Sequence, residues 1–275
     1  MKQDTQDDEY LSLMRGVLTA SFYDESAWYR MRPAAARGGI FGSIKNKLIE
    51  ALERRGFALM KPQRYDDAVR ENGEDWPFFG YTMIGRRRLE NIQMALSAVV
   101  ADEVPGDFVE CGVWRGGASI YARAVLDRLG STDRAVWLAD SFEGMPQQAD
   151  DDKVDPALAH VTTLAVSLEQ VRENFARFNM EGENIHFVKG WFCDTLATAP
   201  IDKIAVLRLD GDYGSSTTDA LTGLYHKVSS KGFVIVDDYG DFESCRAALH
   251  KFLEALGPMP PLSKVDNRAV FFRKP

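Results

Sequence analysis

Two segments far apart in the chain each end a hydrophobic run in aspartate: Ile204-Ala-Val-Leu-Arg-Leu-Asp210 and Phe233-Val-Ile-Val-Asp237-Asp238. Apolar runs of this length, rich in Val, Ile and Leu and without polar alternation, suit strands buried on both faces of a parallel sheet. Ligands of such sheets bind outside the carboxyl ends of the strands. Three carboxylates converging there repel one another unless a cation or a proton shares the site. The pattern therefore predicts a divalent-metal site built from Asp210, Asp237 and Asp238. The alternative is that Asp237 and Asp238 cap a following loop or helix.

The chain has 275 residues, long enough for one large domain or a domain with an appendage. Its formal charge is -8, and Arg86-Arg87-Arg88 is its longest basic run, which disfavours a nucleic-acid partner. That run reads as a solvated helix start. Cys111, Cys193 and Cys245 have no CxxC spacing and leave an odd count, as fits a reducing compartment rather than a disulfide scaffold. The first nine residues are polar and acidic, the opposite of a signal peptide, and no apolar stretch is long enough to cross a bilayer. The expectation is a cytoplasmic protein with no membrane partner.

Residues 1–104 read as a helical, irregular region and residues 105–275 as an α/β core. Helical stripes run over 10–22, 44–55 and 88–100, separated by loop-like segments at 33–42 and 71–79. After Pro105-Gly106 the texture alternates. Strands are predicted at 107–111, 136–140, 185–189, 205–210 and 233–237, with helices at 118–129, 168–178, 217–228 and 244–256. This order implies right-handed crossovers and a doubly wound sheet. A terminal hairpin, 262–265 with 269–273, would add an antiparallel edge.

The first core strand runs into Glu110-Cys-Gly112-Val-Trp-Arg-Gly116-Gly117. Glycines at a strand-to-helix turn let backbone approach a ligand. This is neither GxGxxG nor a P-loop, because Trp114 stands where a middle glycine would be and no GKS follows. The turn suits a ligand lacking a pyrophosphate; the alternative is tight helix packing. Asp140, ending the second core strand, is placed to accept ribose hydroxyls, so the pair points to a nucleoside. Trp191-Phe192 after the third core strand reads either as an aromatic face for a base or as a buried aromatic cluster.

Taken together, FVECGVWRGGAS, LADSFEGMP, LAVSLEQVRENF, KGWFCDTL, LRLDGDYGSSTTDAL and VIVDDYG resemble the macrocin O-methyltransferase family, in order and at consistent spacing from about Tyr81 to the C-terminus. The resemblance implies a class I methyltransferase (Rossmann-like) fold with a helical N-terminal lid over residues 1–104. It implies an O-methyltransferase that uses S-adenosylmethionine and Mg²⁺ on a sugar hydroxyl of a natural product, commonly as a homo-oligomer. By position, Asp210, Asp237 and Asp238 would hold Mg²⁺, with Asp210 also a candidate base. Glu110, Cys111, Gly112, Val113 and Trp114 would lie beside the methionine part, with Asp140 on the ribose. Ser141, Phe142, Glu143 and Gly144 would lie near the adenosine, and Thr82, Met83, Ser167 and Asp194 would complete the pocket. The chain departs from the family pattern at Tyr213-Gly214-Ser215, where an aromatic residue and a glutamate usually precede Ser-Thr.

The four histidines show no metal-ligand spacing. His186, His226 and His250 read as packing or surface residues, and His160 lies in a loop that could cover the acceptor, making it a catalytic candidate. Two other readings remain open at this point. A catechol or phenolic acceptor would use the same chemistry. An NAD(P)-dependent oxidoreductase predicts GxGxxG and a Tyr-xxx-Lys pair, neither of which is present.

Overall fold

In the computed structural model, which describes residues 8–22, 27–30, 39–63, 66–77, 79–146 and 164–275, the two aspartate-terminated runs lie side by side in a seven-stranded sheet. The N-terminal part contributes α1 (Glu9–Leu18), β1 (Ala27–Arg30), α2 (Gly39–Glu53), β2 (Met60–Gln63), α3 (Asp67–Glu71) and α4 (Gly85–Ala101). The α/β part follows as β3 (Asp107–Cys111), α5 (Gly117–Arg128), β4 (Val136–Asp140), α6 (Leu168–Arg177) and β5 (Ile185–Lys189). It continues through α7 (Phe192–Thr195), β6 (Ile204–Leu209), α8 (Gly214–Leu224), β7 (Val228–Val236) and α9 (Glu243–Leu256), and closes with β8 (Ser263–Lys264) and β9 (Val270–Arg273). The sheet order is β5-β4-β3-β6-β7-β9-β8; β3 to β7 are parallel, and β9 is antiparallel to both β7 and β8. This is the class I methyltransferase arrangement, with the chain reversing its direction of travel at β3, between β4 and β6.

Alternation along the strands divides the core. Phe108, Val206 and Ile235 pack on one side with α4, α5 and α6, whereas Val109, Leu207 and Val234 pack on the other with α8 and α9. Every residue of β6 is buried, as an unalternating apolar run requires. Leu11, Met14 and Leu18 of α1 and Leu89, Ile92, Leu96 and Val99 of α4 belong to the first of these clusters. Arg15 locks α1 there, donating to Gln93 Oε1 at 2.7 Å and the Tyr121 hydroxyl at 2.8 Å.

The N-terminal region also holds a feature its composition does not advertise: β1 and β2 form a separate antiparallel pair. Ala-Trp-Tyr-Arg lacks apolar–polar alternation, and Pro62 lies inside β2, where a two-stranded ribbon tolerates it because no inner neighbour needs its missing N–H. The helix expected over 217–228 is shifted. It starts at Gly214 and ends at Leu224, because residues 225–227 tighten into a 3₁₀ turn and β7 begins at Val228. His160 and residues 33–38 of the expected connection lie outside the described residues.

Candidate active site

The carboxyl ends of β3, β4, β6 and β7 open into a cavity of about 410 Å³. Gly112 turns the chain out of β3 with φ +90°, and a Cβ there would sit 1.7 Å from the Asp210 carbonyl oxygen. The ends of β3 and β6 are therefore in contact, and a side chain at 112 would force them apart. Asp140, at the end of β4, organises the same turn. Its Oδ2 accepts the Val113 amide and its Oδ1 the Phe142 amide, each at 2.7 Å. Burial holds its carboxyl above the usual range, with those amides working in the opposite direction. The Trp114 amide and the Ser141 hydroxyl also bond this carboxyl, so Asp140 ties the β3 turn to the end of β4.

Beyond that turn the site is dominated by acids. Asp210, Asp237 and Asp238 each bring an oxygen within 4.8 Å of the others. Asp212, with φ +58°, donates its backbone amide to Asp238 Oδ2 at 2.9 Å. Two buried arginines thread this cluster. Arg208 donates to Glu110 Oε1 at 2.7 Å, Asp210 Oδ2 at 2.9 Å and Asp237 Oδ1 at 2.6 Å. Arg88 donates to Asp237 Oδ2 and, at 2.8 Å, to Asp266 Oδ2. Ser119 completes the shell by donating to Glu110 Oε2.

The electrostatics follow from that count. Glu110, Asp210, Asp212, Asp237 and Asp238 are five carboxylates facing two guanidiniums. Burial would raise Asp237, but Arg208 and Arg88 outweigh it and hold the carboxyl below the usual range. The others are under-compensated. Burial pushes Glu110 up to about 7 against Arg208, and Asp210 up to about 6 against the same arginine. Burial and the neighbouring Asp210 carry Asp212 to about 8, and burial with Asp212 beside it raises Asp238 strongly. Hard oxygen donors carrying excess negative charge fit a cation of the Mg²⁺ type. Arg88 Nη2 is buried without a partner among the described residues, a donor that an oxygen of a bound ligand would satisfy.

Of the residues expected from sequence, Thr82, Met83, Glu110, Gly112, Val113, Trp114, Asp140, Ser141, Gly144, Asp210, Asp237 and Asp238 line this one cavity. Cys111 does not, because its side chain points to the opposite sheet face from Glu110, into the α8–α9 core. Phe142 is buried in the other core, Glu143 is exposed, and Ser167 caps α6 by accepting the Gln170 amide at 3.2 Å. Asp194 is exposed on α7, off the cavity wall. Trp191 and Phe192 line the cavity, and Phe192 also packs against the α8–α9 core. His186 stacks on Trp137 and His250 bonds the Tyr239 hydroxyl, both away from the site.

Two buried arginines of the candidate site escaped the sequence reading. The expectation that residues 86–88 form a solvated helix start fails at Arg88, which is 5% exposed and paired with two aspartates. Its position one turn before Ile92, on the apolar stripe of α4, was the available signal. Arg208 carried a plainer one, since an arginine inside an apolar strand must find buried acids.

Residues 7–274 match the macrocin-O-methyltransferase (TylF) family. The chain belongs to that family. It is 45% identical over 269 residues to the demethyldecarbamoylnovobiocin O-methyltransferase of Streptomyces niveus, covering 96% of this chain and 93% of that one. It is 50% identical over 205 residues to the 8-demethyl-8-(2,3-dimethoxy-alpha-L-rhamnosyl)-tetracenomycin-C 4'-O-methyltransferase of Streptomyces olivaceus, covering 73% of this chain and 78% of that one. Among solved structures, the O-methyltransferase NovP superposes with a TM-score of 0.79 at 39% identity, over 97% of this chain and 98% of that one. The calicheamicin methyltransferase CalS11, at 18% identity and a TM-score of 0.57 over 90% of this chain and 98% of that one, shares the fold. This macrocin O-methyltransferase family member is thus an O-methyltransferase, and its fold implies S-adenosylmethionine as the methyl donor.

Proposed function

We propose that this enzyme methylates a sugar hydroxyl of a natural product, with a divalent cation, Mg²⁺, held by Asp210, Asp237 and Asp238. The observation that carries the reading is the convergence of those three carboxylates, within 4.8 Å, in the cavity that also holds the Gly112 turn and Asp140. The names of the tetracenomycin and mycinamicin III relatives, a 4'- and a 3''-O-methyltransferase, support a glycosylated acceptor.

Methyl transfer from a sulfonium to an oxygen is an in-line displacement, so positioning and proton removal carry most of the catalysis. Bound at the three aspartates, Mg²⁺ would supply positive charge that makes a nearby hydroxyl more acidic. Arg208 holds Asp210 Oδ2 at 2.9 Å, and the Asp210 carboxylate is assigned to take the hydroxyl proton. Glu110 and the Gly112–Trp114 turn would hold the amino-acid end of the cofactor, and Asp140 the ribose. Trp76, Trp191 and Phe192 line the cavity and would limit water at the reacting centre.

The test is methyl transfer from labelled S-adenosylmethionine to demethyldecarbamoylnovobiocin and mycinamicin III after exhaustive chelation, with and without added Mg²⁺. Activity should return only with the cation, and Asp210→Asn should lower turnover on the order of 10²–10⁴-fold. Full turnover in the chelated sample would sink the cation reading.

A further inference from the structure

Arg88 stands where three distant parts of the chain meet: α4, the end of β7, and the turn between β8 and β9. Its Nη1 holds Asp237 Oδ2 and its Nε holds Asp266 Oδ2 at 2.8 Å. Asp266 is itself immobilised, because its Oδ1 accepts the Arg268 and Ala269 amides at 2.8 Å each. On the far side of Asp237, Oδ1 is taken by Arg208 Nη2 at 2.6 Å. A carboxylate clamped at both oxygens cannot turn about its Cβ–Cγ bond without losing a charge-assisted hydrogen bond. Each clamped oxygen retains one further lone pair, whose direction is set by the clamp.

We propose that Arg88, anchored by Asp266, is a positioning residue that fixes the Asp237 carboxylate so that one of its two remaining lone pairs faces Asp210 and Asp238. The inference rests on the cation reading above. Coulomb's law alone would make a guanidinium at this point unhelpful, since it repels an incoming cation. Its contribution is orientation: the planar fork spans two aspartates at fixed angles, which the point charge of a lysine does not do. The C-terminal hairpin acquires a role in the site through the same chain of contacts, as its turn holds the arginine that holds Asp237.

Arg88→Lys separates the two effects, keeping the charge and removing the fork. Loss of an outer partner of a metal ligand typically costs 10–100-fold in metal affinity. In the full chain titrated with Mn²⁺ and followed by paramagnetic resonance, Arg88→Lys should bind at least tenfold more weakly than wild type. Asp266→Asn, which loosens Arg88 and leaves it in place, should bind at least threefold more weakly. Affinity for S-adenosylhomocysteine should stay within threefold in both. Wild-type Mn²⁺ affinity in both variants overturns the proposal, and so does a parallel tenfold loss of S-adenosylhomocysteine binding, which would mark Arg88 as a fold-holding residue. A wild-type chain that binds no Mn²⁺ overturns the cation reading and this inference with it.

Discussion

The excess of carboxylates at the ends of β6 and β7 has a thermodynamic consequence that can be read without any acceptor. Asp210 and Asp212 are raised in the folded state to about 6 and about 8, from an ordinary value of 3.8. Between pH 4 and 8 the folded cation-free protein therefore binds more protons than the unfolded chain, and stability falls as pH rises. Asp237 has the opposite sign. Its carboxyl is depressed, so its contribution is lost only as pH falls below about 4, outside that window. For Asp210 the shift is about two pKa units at about 1.4 kcal/mol each, and its 26% exposed side chain screens part of that, leaving roughly 1–2 kcal/mol. A bound divalent cation would offset this repulsion where the carboxyls are ionised. The expectation is a Mg²⁺-induced rise in melting temperature that is larger at pH 8 than at pH 5.5 by on the order of 5 °C. Differential scanning fluorimetry of the chelated protein with added Mg²⁺ measures it, and Asp212→Asn should flatten the cation-free pH dependence. A cation-free protein that becomes more stable from pH 5.5 to 8, or an equal Mg²⁺ shift at both, would refute the charge-balance reasoning.

Two further outcomes follow from the site geometry. Asp140→Ala removes both the acceptor for ligand hydroxyls and the clamp on the Val113 and Phe142 amides, so calorimetry should find S-adenosylhomocysteine binding weakened by about 1.5–3 kcal/mol; unchanged affinity would take Asp140 out of the site. Ser215 lines the cavity at the start of α8, where the family usually carries a glutamate, so Ser215→Glu should raise the KM for a bulky glycosylated acceptor several-fold while cofactor affinity holds, and an unchanged KM would place the acceptor elsewhere.

The parts of this protein that could be read from its sequence are those whose physics is local. Each strand of the core announces itself by an apolar run, and the aspartates that end β6 and β7 are visible because the strand direction places them. The Gly112 turn was legible for the same reason: a glycine after a buried strand and before a helix has few other uses. What stayed hidden depends on contacts across long sequence separations. Glu110 reads as one more member of the glycine turn, yet its partner is Arg208, 98 residues away. The β1–β2 ribbon pairs residues 30 to 36 positions apart without alternation to signal it.

Arg88 makes the distinction sharpest. In sequence it follows two other arginines at the start of α4, and only helical periodicity separates it from them: Arg87 is exposed, whereas Arg88 falls on the stripe with Leu89 and Ile92. An arginine on a buried stripe must be neutralised, and its partner could not be inferred locally, because Asp237 and Asp266 lie 149 and 178 residues further on. The departure at Gly214 has a similar origin. A Cβ at Gly214 would come within 2.7 Å of the Ser244 carbonyl oxygen, so a larger residue there would push α8 away from the start of α9. The family's usual aromatic residue at Gly214 would thus meet a neighbour thirty residues away in sequence. Replacing Gly214 by the family's larger aromatic residue without relieving that contact should therefore destabilise α8 before it alters specificity.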